Sequence, residues 1–116
     1  MLQDKPVSIY WGGKQLRDYV YVKDIAEAHL SVLELSGCNV FNIGSGTGVL
    51  MNDVLKEILD ITGKTLPIFD KGERQGDPMK LVSDISAINK AVGWKPIVSL
   101  HDGLVQTIKY YQNSNK

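Results

Sequence analysis

Tyr19 and Lys23 stand four residues apart in the run Gly12-Gly13-Lys14-Gln15-Leu16-Arg17-Asp18-Tyr19-Val20-Tyr21-Val22-Lys23-Asp24, a spacing in which an ammonium can steady a phenolate for acid–base work. Local structure decides whether that chemistry is open to them. On a helix, side chains four apart have Cβ atoms roughly 5–6 Å from each other. On a strand they share a face but lie roughly 13 Å apart, at about 3.3 Å of rise per residue. Tyr19, Val20, Tyr21 and Val22 are all β-branched or aromatic, which predicts a strand, and helix character begins only after Asp24. The pair therefore reads as a binding wall, a buried strand ending in a solvated lysine, and no catalytic residue is assigned to this chain.

Arg17 and Arg74 offer a different chemistry. Each lies by a glycine-containing loop and next to an acid, in Arg17-Asp18 and in Arg74-Gln75-Gly76-Asp77-Pro78. Arginine presents paired donors that match a phosphate. Taken singly, an arginine beside an aspartate is a surface ion pair worth under ~1 kcal/mol. Taken together, the two suggest a diphosphate gripped from two loops, with Asp77 placed to accept from ribose hydroxyls.

The loop Gly44-Ser45-Gly46-Thr47-Gly48 invites a phosphate-cradle reading, since backbone donors at a helix N-terminus attract anions. Asp70, after the next strand, stands roughly where a ribose-binding acid would. The details do not match a dinucleotide loop, which needs Gly-x-Gly-x-x-Gly where this chain has Val49 third. The alternative is a structural turn that presents Asn42 from a strand end. No Gly-Lys-Ser/Thr follows, so a P-loop is excluded.

Short strands and amphipathic helices alternate to position these groups. Val7 to Tyr10 reads as a strand, Gly12 and Gly13 as a turn, and Gln15 to Val22 as a second strand. Asp24 is placed to cap a helix from Ile25 to Leu35, closed by Gly37. Val40 to Ile43 reads as a strand before the glycine loop. A helix follows with Val54, Leu55, Ile58, Leu59 and Ile61 apolar and Gly63 as its stop. Leu66 to Phe69 is a strand, Asp70 to Pro78 a polar loop, and Lys80 to Val82 a short strand. Asp84 begins a helix carrying Ile85, Ile88 and Val92, stopped at Gly93-Trp94-Lys95-Pro96. From Ser99 or Leu100 a last helix turns Leu104, Ile108 and Tyr111 inward, and Asn113 to Lys116 is read as a frayed tail. The pattern is a small mixed α/β module with about four helices.

Composition narrows the function classes. A chain of 116 residues with 43% hydrophobic content suits one domain, and 13 basic residues cancel 13 acidic ones. A neutral chain carries no electrostatic footprint for nucleic acid or an anionic membrane, so an anion site must come from placed arginines. No apolar run approaches the roughly 20 residues of a membrane span, and the expected location is cytoplasmic. Cys38 is the one cysteine, and His29 and His101 lack second ligands at useful spacing, so no metal site is expected.

Five motifs stand in order along the chain: GGKQLRDYVYVKDIAEAHL, VFNIGSGTG, RQGDP, the aspartate-led helix, and GWKP followed by SLHDGL. This series resembles the C-terminal portion of extended short-chain dehydrogenase/reductases, the NAD-dependent nucleotide-sugar epimerases and dehydratases typified by UDP-glucose 4-epimerases and dTDP-glucose 4,6-dehydratases. The resemblance covers nearly the whole chain. It fixes the superfamily and leaves the subfamily open. It implies a substrate-binding domain over residues 1–112 that packs on an N-terminal Rossmann domain holding NAD, in cis or on a separate chain. It also implies that Arg17 and Arg74 bind the diphosphate of a UDP- or dTDP-sugar, that Asp77 contacts the ribose, and that Asn42 lines the same pocket. Tyr10 and Gln15 match positions near the nucleotide. The family's catalytic Tyr-x-x-x-Lys and NAD loop match nothing in this chain, so the chain alone is expected to hold no cofactor and to be inactive. The alternative expectation is a non-catalytic module that docks on a separate partner chain.

Overall fold

In the computed structural model, which describes residues 3–114, the chain opens with two short strands, β1 (Val7–Ile9) and β2 (Leu16–Asp18). A single 3-10 turn at Trp11–Gly13 joins them. Next come α1 (Val22–Ser31), β3 (Gly48–Leu50), α2 (Met51–Thr62), β4 (Ile68–Asp70), β5 (Lys80–Leu81), α3 (Ser86–Val92) and α4 (Leu100–Ser114). The mixed α/β class with four helices agrees with the sequence reading.

Two small sheets organise the strands. β1 pairs parallel with β4, Val7 opposite Ile68. In the second sheet β2 is central, antiparallel to β3 and parallel to β5, so that Arg17 lies opposite both Val49 and Leu81. This register brings the loop before β5, residues 71–79, against the start of β2.

The core is small. Ala28, Ile88 and Trp94 are buried together, with Val32, Phe41, Ile43, Ile85 and Val92 packed on them. Trp94 Nε1 donates to the Asp24 carbonyl at 3.2 Å, and Asn89 Nδ2 donates to the Trp94 carbonyl at 3.1 Å. The body measures 50 × 37 × 18 Å, with a radius of gyration of 16.7 Å. A compact domain of this length has about 13 Å. The chain is a slab, and a slab leaves apolar side chains uncovered. Val22 is 67% exposed, Leu33 73% and Val40 89%.

Several boundaries differ from expectation for identifiable reasons. The strand expected from Gln15 to Val22 stops at Asp18, where its ladder with β3 ends, and α1 begins at Val22, ahead of Asp24. Asp24 does not cap that helix. It is buried in the first turn, and its carboxylate accepts the Val98 N–H at 3.0 Å, pinning the segment ahead of α4. α1 ends at Ser31, short of Leu35, because Leu33 N–H bonds the Leu30 carbonyl and Leu35 N–H the Val32 carbonyl, the three-residue spacing of isolated turns. Residues 40–43 are not a strand, since a strand needs a ladder partner and none of the described strands lies against them. The pairing strand is β3, formed by the end of the glycine loop. Gly63 and Gly93 end α2 and α3 with left-handed dihedrals, as expected. Ser99 and Asp102 cap α4 reciprocally, the Ser99 hydroxyl donating to the carboxylate at 2.7 Å and accepting the Asp102 N–H at 3.1 Å. Tyr111 does not face inward; it is exposed and meets Tyr110 edge to face, with ring centroids 5.4 Å apart. The tail expected from Asn113 is helical through Ser114, and residues 115 and 116 lie outside the described residues. No described helix is long and apolar enough to cross a membrane.

Candidate functional site

Adjacent residues on a strand point to opposite faces, and this separates Arg17 from Asp18 on β2. Arg17 turns to the loop before β5, where its Nη2 forms an ion pair with Asp77 Oδ1, and its Nη1 donates to the Leu16 carbonyl at 2.9 Å. Asp77 Oδ2 accepts from Gln15 Nε2 at 3.3 Å. Gln15 is only 5% exposed, and its Oε1 has no partner among the described residues. The surface pair Arg17-Asp18 suggested by sequence adjacency does not form. Arg17 and Asp77, read as opposing jaws, are joined directly.

Arg74 is held separately. It is exposed, and its guanidinium lies 5.4 Å from the centroid of the Tyr10 ring, a cation–π contact, while no ion pair joins it to an acid among the described residues. Gln15, Arg17 and Asp77 form one cluster and Tyr10 and Arg74 a second, joined through the Asp77 N–H bond to the Arg74 carbonyl at 3.2 Å. Asn42 is exposed, and among the described residues no hydrogen bond links it to them.

An open cleft of about 640 Å³ is lined by Trp11, Glu73, Arg74, Gln75, Gly76, Asp77 and Pro78. That volume falls in the range that takes a small organic ligand. Trp11 was not singled out from the sequence. It carries a φ of 54°, rare for a bulky residue, and its buried Nε1 lacks a protein partner. The signal available in the sequence was an aromatic residue immediately ahead of a glycine pair. A second hollow, of about 560 Å³, lies between α2 and α4. Asp53, Lys56, Glu57 and Asp60 line it, with His101 Nδ1 2.9 Å from Glu57 Oε1, so three acids face one lysine there and no arginine.

Asp18, on the other face of β2, holds the glycine loop. Its carboxylate accepts from the Ser45 amide at 2.6 Å, the Ser45 hydroxyl at 2.5 Å, the Gly46 amide at 3.1 Å and the Ser83 amide at 3.1 Å. A Cβ on Gly44 would collide with the Asp18 carboxylate and the Ser83 side chain. The amides of a would-be phosphate cradle thus point at a resident anion, and β3 intervenes between the loop and α2. Burial works to raise the Asp18 pKa, but the hydrogen bonds from Ser45, Ser83 and Gly46 outweigh it and hold the carboxyl below its ordinary 3.8. A depressed folded value means that this stabilisation is present above pH 3.8 and is lost as the pH falls through the folded value. Asp18→Asn is expected to cost about 2 kcal/mol at pH 7 in urea unfolding. The gap to the parent chain is expected to narrow at pH 3; a gap unchanged with pH would show that the charge is not what holds the loop.

Tyr19 and Lys23 do not form an activated pair. Tyr19 Oη lies 3.4 Å from Met51 Sδ, while Lys23 is exposed on the first turn of α1. Burial raises the phenol's pKa, against the opposing pull of the Arg17 charge. A nucleophile or base at neutral pH needs the reverse. His29 Nδ1 is bonded to the Ile25 carbonyl at 2.7 Å, and no group of three or more His, Cys, Asp or Glu among the described residues could hold a metal ion.

Residues 1–44 match the NAD dependent epimerase/dehydratase family. Over 88% of this chain and 30% of its own length, the UDP-glucose 4-epimerase of Azospirillum brasilense is 32% identical. The fold superposes on the crystal structure of the UDP-glucose 4-epimerase of Thermotoga maritima with UDP-glucose, with a TM-score of 0.93 and 37% identity over 100% of this chain and 38% of that one. The chain is related to the NAD-dependent epimerases and dehydratases. MoeE5, solved in complex with UDP-glucose and NAD, matches at a TM-score of 0.93 and 29% identity over 99% of this chain and 39% of its own. The chain spans about a third of the length of the curated epimerases and dehydratases it matches. Both solved relatives hold UDP-glucose, MoeE5 with NAD as well, and this chain matches over a third of the length of each.

Proposed function

We propose that this chain is the nucleotide-sugar-binding, C-terminal portion of an NAD-dependent epimerase or dehydratase, most like UDP-glucose 4-epimerase. One observation carries the reading: two arginines from separate segments, Arg17 and Arg74, are partnered by Asp77 and Tyr10, and an open cleft is lined by Arg74 and by the Asp77 that pairs with Arg17. Two guanidinium groups near one cleft in a chain of zero net charge would suit a compact dianionic ligand. The ribose would lie by Asp77, whose carboxylate has acceptor capacity beyond its two present partners. Asn42 would join from its exposed loop when substrate is bound.

NAD, held outside these residues, would supply oxidation and re-reduction of the sugar carbon in an isomerase or lyase reaction. The task of this chain is binding and orientation, since burial raises the Tyr19 phenol's pKa more than the Arg17 charge lowers it. A Rossmann domain, in cis or on a separate chain, would cover the uncovered apolar side of the slab. Val22, Leu30 and Leu33 follow one side of α1 and its final turn, within an arc of about 80°, and are exposed.

Added alone to UDP-glucose and NAD, the chain is expected to bind the sugar nucleotide weakly and convert none of it. Turnover surviving rigorous purification would overturn the assignment of inactivity. Failure of UDP-, dTDP- and GDP-sugars alike to bind would remove the substrate reading. The exposed apolar side of α1 would then favour a second reading, a non-catalytic module docked on a partner chain.

A further inference from the structure

Asp77 sits where an acid ought to weaken an anion site, yet its bonding gives it a different task. Its Oδ1 takes the Nη2 of Arg17, and its Oδ2 takes the Nε2 of Gln15. The Arg17 side chain is thereby fixed at two points, Asp77 and the Leu16 carbonyl, which leave the Nε donor and one hydrogen on each terminal nitrogen unused. Gln15 fixes the carboxylate in turn. The buried amide has one orientation that donates to Asp77, and the reverse orientation would set its oxygen against the carboxylate. The Gln15 carbonyl accepts the Met51 N–H at 3.0 Å, which ties this bracket to the start of α2.

We propose that Asp77 is a positioning residue for the diphosphate, acting through Arg17, and that Gln15 is its brace. The inference rests on the diphosphate reading above and departs from it in one respect: the principal effect of Asp77 on affinity comes through the guanidinium and not through a ribose hydroxyl. The guanidinium held this way meets the ligand without first giving up rotamer freedom, which is the gain that preorganisation supplies.

Two anionic probes separate the roles, because inorganic pyrophosphate has the diphosphate and no ribose, while UDP has both. Charge alone predicts that Asp77→Asn tightens pyrophosphate, since a carboxylate has been removed beside an anion site. Positioning predicts the opposite sign. Asp77→Asn is expected to weaken pyrophosphate and UDP by a similar factor, about tenfold, and to cost nothing further in an Arg17→Gln background. Gln15→Leu, which removes the side-chain bond to Asp77 and leaves the Arg17–Asp77 pair in place, is expected to weaken both probes a few-fold and supplies the test if Asp77→Asn unfolds. Calorimetric titration of the chain reads all of these, with circular dichroism to verify folding. If Asp77→Asn and Gln15→Leu leave pyrophosphate unchanged or tighter while UDP weakens, the diphosphate reading stands and the positioning role is overturned. If the parent chain binds neither probe, the diphosphate reading itself falls and takes this one with it.

Discussion

Replacing Arg17 with alanine is expected to weaken UDP binding about 10- to 100-fold while leaving uridine binding nearly unchanged. A hydrogen bond to a charged group contributes about 1.5–3 kcal/mol, and every 1.4 kcal/mol is about tenfold in affinity. Uridine has no phosphate, so it does not report on a phosphate clamp. Arg17→Lys is expected to fall between parent and alanine, because it keeps the charge and loses the planar fork that pairs with Asp77. Arg74→Ala is expected to act in the same direction with a smaller effect on folding, as its anchor is the ring of Tyr10 and no ion pair is broken. Calorimetry with both ligands checks the series. Equal losses for UDP and uridine would place Arg17 in general support of the fold.

The largest expected effect on stability is at Trp94. Trp94→Ala is expected to cost about 3–5 kcal/mol, the range for truncating a buried aromatic side chain. Trp94 packs with Ala28 and Ile88 and also ties α1 to the segment after α3 through its bond to the Asp24 carbonyl. Few other side chains are buried to compensate, and domain stabilities of about 5–15 kcal/mol leave little reserve after such a loss. Trp94→Phe, which keeps much of the packing and removes the indole N–H, is expected to cost about 1–2 kcal/mol. Guanidinium unfolding followed by circular dichroism measures both. A cost under about 1 kcal/mol for the alanine variant would show that the small cluster is not the centre of the fold.

The elements legible in the sequence are those whose signals are local. α2 and α3 show apolar positions at helical spacing and end at Gly63 and Gly93, whose left-handed dihedrals only a local rule is needed to foresee. What the sequence hid depends on pairing between distant segments. β3 consists of Gly48, Val49 and Leu50, and it becomes a strand because β2 lies alongside it; Val40 to Ile43 has better strand residues and no partner among the described strands. The candidate site divides in the same way. Arg17, Arg74 and Asp77 stand out by residue type and Tyr10 and Gln15 through the family resemblance, but the ion pair of Arg17 with Asp77 spans 60 residues and has no local signal. The loop-holding role of Asp18 and the strained backbone of Trp11 are recognisable only once their surroundings are folded.

The central claim, a diphosphate-binding cleft between the turn at Trp11 and the loop before β5, is tested most directly by titrating the isotope-labelled chain with UDP and following its backbone and arginine side-chain resonances. The predicted result is saturable shifts at Tyr10, Trp11, Gln15, Arg17, Arg74 and Asp77, with Asp53, Glu57 and Asp60 unmoved. Shifts confined to the α2–α4 hollow or to residues 44–48, or no shifts at all, would contradict it.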